Sequence, residues 1–388
     1  MNAADVQPRI GWREDGQDRS ARWRSESGAA PPRRVEVADD RMKADVAYRL
    51  ACEGTALLWR GDFQNARQLL QAMTRRADRP PKPARRKRQE ARKTSTVQAF
   101  HLHRQAQGQR ARTLGMLLIP VEPGHDVPLR RAPDVAQACT EAYGPADEPY
   151  VVSLRELLGV IGAHEWRARG VEIPALDGDR VHPHYGVFSP VRGEYVSLVA
   201  DAPLPPSRAL AYDIGTGTGV LAAVLARRGM ERVVATDQDP RALACARENV
   251  ARLGLAERVE VMEADLWPPG RADVVVCNPP WIPARPSSPL EHAVYDPDGR
   301  MLRAFLSGLA DHLAPGGEGW LILSDLAEHL GLRTRAELLD AIGAGGLTVA
   351  GRLDARPAHP RASDAADPLH AARSAEVTSL WRLTAAPS

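Results

Sequence analysis

A glycine-rich turn marks the first place in this sequence where chemistry can be predicted. Gly215, Gly217 and Gly219 alternate with threonines directly after an apolar run that ends in Asp213. Glycine lets a ligand lie against the backbone where a Cβ would clash. The G-x-G-x-G spacing, preceded by an acid, differs from the G-x-G-x-x-G of dinucleotide-binding folds. The pattern predicts a ligand-binding turn between a strand and a helix, with a purely structural tight turn as the alternative.

Two further acids follow the next two strand candidates. Asp237 ends the apolar run of residues 233–236, and Asp265 follows the run of residues 259–262. In doubly wound folds an acid at the tip of the second strand accepts hydrogen bonds from ribose hydroxyls. Asp239 is better placed to begin the next helix, so we predict the ribose role for Asp237. Asp265 is a candidate to face an adenine amino group.

A fourth strand candidate ends in an unusual tetrapeptide. The buried-looking run of residues 274–277 is followed by Asn278-Pro279-Pro280-Trp281. Taken with the upstream motifs, this resembles the class I S-adenosylmethionine-dependent methyltransferases, and within them the branch with an Asn-Pro-Pro-aromatic motif. That branch methylates nitrogen in planar groups, namely adenine or guanine amino groups or the glutamine amide of release factors. An accidental Asn-Pro-Pro turn is the alternative.

The resemblance covers about residues 185–385, and its motifs come in the family's order. Residues 186–190 and 294–299 are similar to segments of the release-factor glutamine methyltransferases and the small-domain rRNA guanine methyltransferases. Trp281 stands where Tyr or Phe is more usual, which leaves the substrate open. The resemblance implies S-adenosylmethionine as the cofactor, and it implies a cofactor site built from Phe188, Asp213, Gly215, Gly217, Gly219, Asp237 and Asp265.

The nitrogen-directed motif has a chemical rationale. The lone pair of an amide or aromatic amine is delocalised, so the nitrogen is a poor nucleophile. The side-chain carbonyl of Asn278 and the backbone carbonyl of Pro279 can each accept one N–H of a target NH2, which orients the lone pair toward the methyl group. The prolines stiffen the loop, and Trp281 is predicted to stack on the planar target. We therefore predict Asn278, Pro279, Pro280 and Trp281 as the catalytic residues, with no dedicated base.

The elements that position these residues follow an alternating pattern. After residue 180, short apolar runs alternate with helical periodicity, which is typical of a parallel α/β sheet. Asp239-Pro240 predicts the start of a crossover helix, with a capping side chain and then proline in the first turn. Residues 347–353 and 377–383 are predicted to form a closing antiparallel pair. The predicted fold is a Rossmann-like, doubly wound, seven-stranded α/β domain over residues 181–388, preceded by an α-rich N-terminal region.

The N-terminal part of the chain differs from the rest in sequence pattern and in charge. Residues 1–130 carry 26 Lys and Arg against 15 Asp and Glu, whereas residues 131–388 carry 25 against 34. A basic tract at residues 82–93 predicts contact with an anionic partner such as nucleic acid, with a solvated linker as the alternative. The predicted divisions before the methyltransferase domain are a disordered leader (1–38), a helical segment (39–74), a basic Pro-containing linker (75–95) and a mostly helical auxiliary region (96–180).

Together these features predict an S-adenosylmethionine-dependent N-methyltransferase acting on a protein or nucleic acid. The alternatives are a small-molecule methyltransferase from a biosynthetic pathway and a cofactor-binding protein without catalysis. The four cysteines show no Cys-x-x-Cys spacing and His182 and His184 lack a nearby third ligand, so no metal site is expected. No apolar run is long enough for a membrane span. Without an apolar leader or a disulfide framework, a cytoplasmic setting is expected.

Overall fold

The computed structural model describes residues 8–79, 95–191, 193–285, 291, 293–356 and 367–387. As far as it is described, the chain forms two compact units, Met1–Ser95 with His101–Glu165, and Thr96–Phe100 with Trp166–Ser388. The predicted basic tract at residues 82–93 lies outside the described residues.

The N-terminal unit is built on a six-stranded mixed sheet of order β1-β2-β6-β5-β4-β3. Its strands are β1 (Arg9–Glu14), β2 (Gln17–Arg24), β3 (Arg34–Ala38), β4 (Thr55–Trp59), β5 (Leu117–Val121) and β6 (Tyr150–Ser153). Its helices are α1 (Ala44–Cys52), α2 (Phe63–Ala77), α3 (Thr96–Leu114), α4 (Ala136–Tyr143) and α5 (Leu154–Arg169), and the division between the units falls within α3 and α5.

The prediction of a disordered leader over residues 1–38 is wrong for the described part. β1 and β2 form an antiparallel hairpin, and β3 pairs in parallel with β4. Alternate residues of the hairpin are buried: Ile10, Ala21 and Trp23 join one apolar cluster while their neighbours remain polar. Since only every second residue of such a strand must be apolar, the mean composition of the segment is that of a polar tail. The helical segment predicted over 39–74 likewise contains β4, all five residues of which are buried.

The C-terminal unit contains a seven-stranded sheet of order β11-β10-β9-β12-β13-β15-β14 and a separate two-stranded ribbon. Its strands are β7 (Val171–Glu172), β8 (Arg180–Val181), β9 (Leu210–Ile214), β10 (Arg232–Asp237), β11 (Val259–Glu263), β12 (Ala272–Cys277), β13 (Leu313–Ser324), β14 (Leu347–Ala355) and β15 (Thr378–Ala385). Its helices are α6 (Glu194–Asp201), α7 (Val220–Arg227), α8 (Pro240–Arg252), α9 (Arg300–His312), α10 (Leu326–His329), α11 (Arg335–Ala344) and α12 (His370–Ala375).

This sheet confirms the predicted doubly wound α/β fold. The strands from β11 to β13 are parallel, and β14 and β15 close the sheet as the predicted antiparallel pair. Neighbouring residues of one strand face opposite cores: Ala211 packs in the cluster that holds α6 and α7, and Tyr212 packs in the cluster that holds α9 and α11. Helices therefore cover both faces of the sheet, which explains why its central strands are mostly apolar.

The predicted cap of α8 is also confirmed. Asp239 precedes Pro240, and its carboxylate accepts a hydrogen bond of 2.9 Å from the backbone N–H of Arg241. Among the described residues, no helix combines the length and apolar character that crossing a bilayer would require.

Replacing Trp23 tests whether the N-terminal strands contribute to stability. Its side chain is buried, and its indole N–H donates a hydrogen bond of 2.7 Å to the carbonyl of Ala29. Trp23→Ala should lower the free energy of unfolding by about 3–5 kcal/mol, as other core aromatic truncations do. The matched control is Trp166→Ala, since Trp166 is 44% exposed, and its loss should cost less than about 1 kcal/mol. Equal urea midpoints for wild type and Trp23→Ala would contradict the strand assignment.

Candidate functional site

A cavity of about 420 Å³ opens at the carboxyl edge of the seven-stranded sheet. It lies where β10, β9 and β12 end, which is the point at which the strand order reverses and doubly wound folds place ligands. The loops after these three strands supply much of its lining. The predicted site residues in the lining are Phe188, Gly215, Gly217, Asp237, Asn278, Pro279, Pro280 and Trp281.

The glycine-rich loop is held in a conformation that requires glycine. Gly215, Gly217 and Gly219 all have positive φ angles, of 72°, 55° and 79°. A Cβ at Gly215 would come within 2.8 Å of the Met301 side chain, and one at Gly219 within 3.3 Å of the backbone of Ala246. Gly219 is not among the described lining residues of the cavity. Its close approach to Ala246 therefore serves the packing of α7 against α8.

Asp213 supports this loop from behind. Its side chain is buried and accepts hydrogen bonds from the Thr216 hydroxyl at 2.6 Å and from the backbone N–H of Ala222 at 3.0 Å. Burial raises the pKa of the Asp213 carboxyl to about 6. The resemblance implied a place for Asp213 in the cofactor site, but Asp213 is not among the described lining residues. Its geometry is that of a residue that fixes the loop and the first turn of α7.

Asp237 joins the loop to the tip of β10. One carboxylate oxygen accepts the backbone N–H of Gly217 at 3.0 Å, and the other accepts those of Gln238 and Asp239 at 2.8 and 3.0 Å. Burial raises the pKa of the Asp237 carboxyl, and these three backbone N–H groups oppose that rise. Asp237 also lines the cavity. The strand tip therefore presents an oriented carboxylate at the position where a ribose is expected.

Asp265 does not lie in the cavity. Its side chain is 69% exposed and lies 3.9 Å from the guanidinium of Arg300, while the flanking Ala264 and Leu266 line the site. Leu266 has a φ of 73°, and its carbonyl accepts the Thr236 hydroxyl at 2.8 Å. This turn directs the chain so that apolar atoms, rather than the carboxylate, contact the cavity.

The Asn278-Pro279-Pro280-Trp281 loop carries an internal hydrogen bond. The indole N–H of Trp281 donates to the side-chain oxygen of Asn278 at 2.9 Å. Both residues line the cavity together with the two prolines. An amide oxygen has two lone pairs, so Asn278 retains capacity for a second donor. The bond fixes the amide orientation and the indole edge before any target arrives.

The segment after this loop is fastened to residues 294–296. The N–H of Ile282 donates to the Val294 carbonyl at 3.0 Å, and the N–H of Asp296 donates to the Ile282 carbonyl at 2.9 Å. The buried Asp296 carboxylate then accepts the N–H groups of Met301 and Leu302 at 2.9 and 3.2 Å. Asp296 thus supports the first turn of α9, which places the Met301 side chain against Gly215.

His182 and His184 serve structural roles. The Nδ1 atom of His182 lies 2.6 Å from the Arg167 carbonyl, and the Nε2 atom of His184 lies 2.7 Å from the Glu248 carboxylate. Within the described part of the chain, no group of His, Cys, Asp and Glu is arranged to hold a metal ion. These contacts fasten His182 to α5 and His184 to α8, a few residues before the lining residues Val187 and Phe188.

Sequence reasoning missed one wall of the cavity. The C-terminal wall, as we call it, consists of Leu326, Leu330, Leu369, Arg373 and Glu376. Tyr195 and Phe100 also line the cavity without having been predicted. Apolar periodicity predicts that Leu and Phe side chains are buried, but no local spacing signal indicates which cavity they face.

Comparison with known proteins agrees with the geometry. Residues 179–332 match the family model described as "Methyltransferase small domain". A release factor glutamine methyltransferase of Cereibacter sphaeroides is 36% identical over 170 residues, covering 40% of this chain and 60% of that protein. A ribosomal protein L11 methyltransferase of Sorangium cellulosum is 37% identical over 220 residues, covering 50% and 62%. A tRNA1(Val) (adenine(37)-N6)-methyltransferase of Bacteroides thetaiotaomicron is 34% identical over 126 residues, covering 30% and 53%.

The chain thus spans between 53% and 62% of the length of these three curated relatives. The match of residues 179–332 to a methyltransferase family model agrees with the predicted class, for which S-adenosylmethionine is the cofactor.

The two acids at the tips of β10 and β11 should differ in their importance for S-adenosylmethionine. Asp237→Ala removes charge-assisted hydrogen bonds of ~1.5–3 kcal/mol and should weaken binding roughly ten- to hundred-fold. Asp265→Ala should change affinity less than about twofold, because its carboxylate lies outside the described lining. Titration calorimetry on the folded variants checks both values. Equal losses in the two variants would restore Asp265 to the site.

Asp213 should make stability depend on pH in a defined window. Its pKa is raised from 3.8 to about 6 in the folded chain, so the folded state holds its proton more tightly than the unfolded state. The stability of wild type relative to Asp213→Asn should therefore fall as pH rises from about 4 to about 6, by up to ~1.4 kcal/mol per pH unit, and then level off. Urea unfolding of both proteins at pH 4.5, 5.5 and 7 measures this difference. A difference independent of pH would show that burial does not shift this carboxyl.

Proposed function

We propose that this chain, whose residues 179–332 match the methyltransferase small-domain model, transfers a methyl group from S-adenosylmethionine to a planar nitrogen of a macromolecule. One observation carries the proposal. The Asn278-Pro279-Pro280-Trp281 loop lines the same cavity as Asp237 and the glycine-rich loop. A nitrogen-directed loop and a nucleoside-type site therefore share one enclosed space.

The division of the cavity follows from the strand order. Asp237 ends β10 and the glycine-rich loop follows β9, whereas Asn278 follows β12 on the other side of β9. The adenosine part of the cofactor would lie toward β10, with Phe188 as a further contact. The sulfonium supplies the transferable methyl group when the cofactor is bound. Asn278 is then placed to hold the acceptor nitrogen opposite that group.

The chain's own residues would orient and expose the acceptor lone pair. One lone pair of the Asn278 amide oxygen accepts the Trp281 indole N–H. The other lone pair and the carbonyl of Pro279 can accept the two N–H groups of the acceptor. Prolines at 279 and 280 remove two backbone donors from the loop and restrict its motion. Holding the nitrogen in line in this way can supply several kcal/mol of the rate enhancement.

Trp281 is proposed to stack on the planar acceptor. Its indole contacts apolar clusters on both sides of the sheet, and its N–H is bound to Asn278, so the ring has little freedom. A fixed aromatic face is a low-entropy platform for a flat group. No general base is required, because the acceptor nitrogen can release its proton to water after transfer.

A macromolecular acceptor is supported by the relatives. Their names assign them a release factor, ribosomal protein L11 and a tRNA adenine as substrates. We propose that this chain also acts on a protein or a nucleic acid. Incubation of labelled S-adenosylmethionine with a lysate that lacks this protein, followed by nuclease or protease digestion, identifies the labelled fraction. Label confined to small molecules would favour a biosynthetic enzyme instead.

Substitutions in the motif should separate binding from chemistry. Asn278→Ala should leave S-adenosylmethionine affinity within a few-fold, because the residue lies on the acceptor side of the cavity. It should lower turnover by about 10²-fold or more, since an oriented acceptor of hydrogen bonds is worth a few kcal/mol in the transition state. Cofactor calorimetry and labelled methyl transfer on the same preparations provide the measurement. Transfer at the wild-type rate would exclude the nitrogen-directed mechanism.

Trp281 provides a graded comparison. Trp281→Ala should raise the KM for the acceptor, because stacking is worth ~1–3 kcal/mol. Trp281→Phe keeps an aromatic face, so it should retain most of the affinity for the acceptor. The same substitution removes the indole N–H that holds Asn278. A Phe variant as impaired as the Ala variant would assign Trp281 to positioning Asn278 rather than to stacking.

A further inference from the structure

Tyr195 is a buried polar side chain that the proposed mechanism does not use. It is 4% exposed, and it lines the cavity. Among the described residues, no group forms a hydrogen bond with its hydroxyl. Buried tyrosine hydroxyls are usually paired, because an unpaired polar group away from water costs free energy. The Tyr195 hydroxyl is therefore available to a ligand of the cavity.

α6 runs alongside α7 in the same direction, which brings Tyr195 to the carboxyl edge of the sheet. The guanidinium of Arg228, directly after α7, donates hydrogen bonds to the carbonyls of Val199, at 2.7 Å, and Ala202, at the end of α6. The two helices therefore end together. Since both are eight residues long, they also begin together, at the edge where the glycine-rich loop leaves β9. Tyr195 is the second residue of α6, so it lies beside the first turn of α7.

Apolar packing holds the Tyr195 ring, while its oxygen remains accessible. The residue belongs to the apolar cluster that contains α7. Some side-chain oxygen and nitrogen atoms of the described residues are fully enclosed without a partner, and the Tyr195 oxygen is not one of them. It therefore keeps contact with the cavity that the residue lines. Burial, together with the carboxylates of Asp213 and Glu194, raises the pKa of Tyr195, so the hydroxyl keeps the proton that it can donate.

Tyr195 and Asp237 lie on opposite sides of the glycine-rich loop. That loop follows β9, and Asp237 ends β10, which is the neighbour of β9 on one side. α6 packs against β14 and β15, which lie beyond β9 on the other side. With the adenosine part of the cofactor toward β10, the opposite end of the cofactor extends toward α6. That end is the amino-acid part, which carries a carboxylate and an ammonium group.

The surroundings of the Tyr195 hydroxyl favour the carboxylate of these two groups. Val220 and Leu221, the first residues of α7, also line the cavity. The first N–H groups of a helix have no partner within it, and the helix dipole favours an anion there. A neutral phenol donates a charge-assisted hydrogen bond to a carboxylate. The cationic side chain in the described lining, Arg373, already lies 2.8 Å from the Asp367 carboxylate.

We propose that the Tyr195 hydroxyl donates a hydrogen bond to the methionine carboxylate of S-adenosylmethionine. This contact lets the cavity distinguish the complete cofactor from forms that lack the carboxylate. Asp237 at the ribose and Tyr195 at the carboxylate then hold the cofactor at both ends, while Asp213 supports the loop between them from behind. Tyr195 acts on the cofactor alone, whichever acceptor Asn278 holds.

Three ligands titrated into the full-length chain by calorimetry test the contact. S-adenosylhomocysteine has the whole amino-acid part, its decarboxylated analogue keeps only the amine, and 5′-methylthioadenosine lacks both groups. Tyr195→Phe should bind S-adenosylhomocysteine about tenfold or more weakly than wild type, as the loss of a charge-assisted hydrogen bond implies. Its affinity for the other two ligands should change less than about twofold. Unchanged affinity for S-adenosylhomocysteine, or an equal loss for the decarboxylated analogue, would overturn the assignment.

Tyr212→Phe is the matched control. Tyr212 is 1% exposed, its hydroxyl donates to the Pro269 carbonyl at 2.9 Å, and it lies outside the described lining. Tyr212→Phe should lower the urea midpoint of the ligand-free chain and leave S-adenosylhomocysteine affinity unchanged. Tyr195→Phe should show the reverse, because it breaks no hydrogen bond of the described residues. A lowered midpoint with unchanged binding in Tyr195→Phe would assign its hydroxyl to the fold.

Wild type provides a check that needs no variant. It should bind S-adenosylhomocysteine at least about tenfold more tightly than the decarboxylated analogue, and equal affinities would overturn the role of Tyr195. These titrations contain no acceptor, so their outcome is independent of methyl transfer to nitrogen. Wild-type turnover in Asn278→Ala would end the nitrogen-directed mechanism and leave Tyr195 in place, whereas unchanged binding in Tyr195→Phe would do the opposite.

Discussion

The loop of residues 215–219 must pass close to α8 and α9, and this constraint organises the rest of the site. Its backbone is held by the carbonyl of Thr236, which accepts the N–H groups of Gly215 and Thr216 at 2.9 and 2.8 Å. Asp213 holds the loop from β9, and Asp237 holds it from β10. Two adjacent strand tips therefore fix one loop, and the cavity takes its shape from their spacing rather than from the loop's own preferences.

The parallel direction of the strands then brings the loops that carry the candidate cofactor and acceptor residues to the same cavity. Because every strand from β11 to β13 runs in the same direction, their carboxyl ends lie along one edge of the sheet. The loops after β10 and β9 meet the Asn278 loop there, although Asp237 and Asn278 are 41 residues apart in the sequence. The next strand, β13, brings Ser324 and with it Glu376 to the same edge.

Sequence predicted the parts of this arrangement that are encoded locally. The cap at Asp239-Pro240 and the Asn278-Pro279-Pro280-Trp281 loop depend on neighbouring residues, so their patterns are visible in a short window. The family resemblance added the cofactor and the order of the motifs along the chain. Asp265 shows the limit of motif transfer, because the positive φ of Leu266 turns the chain in a way that residue types alone do not reveal.

The features that sequence reasoning missed depend on distant contacts. The N-terminal strands were not predicted because β1 and β2 bury alternate residues against strands far along the chain, such as the parallel partner β6. Glu376 was not predicted because its partner Ser324 is 52 residues away. No periodicity records such a pair, and only the antiparallel return of β15 beside β13 creates it.

The buried carboxylates of the C-terminal unit differ in what satisfies them. Backbone N–H groups bind Asp213, Asp237 and Asp296, and each of these bonds fixes a loop or a helix start. Side chains also satisfy buried carboxylates of this unit: Asp213 accepts the Thr216 hydroxyl, Glu318 accepts the Trp320 and Arg382 side chains, and Glu376 accepts the Ser324 hydroxyl. Of these carboxylates only Asp237 and Glu376 belong to the described lining of the cavity. Fastening the chain is therefore a role that all of them share, and a place in the cavity is what sets Asp237 and Glu376 apart.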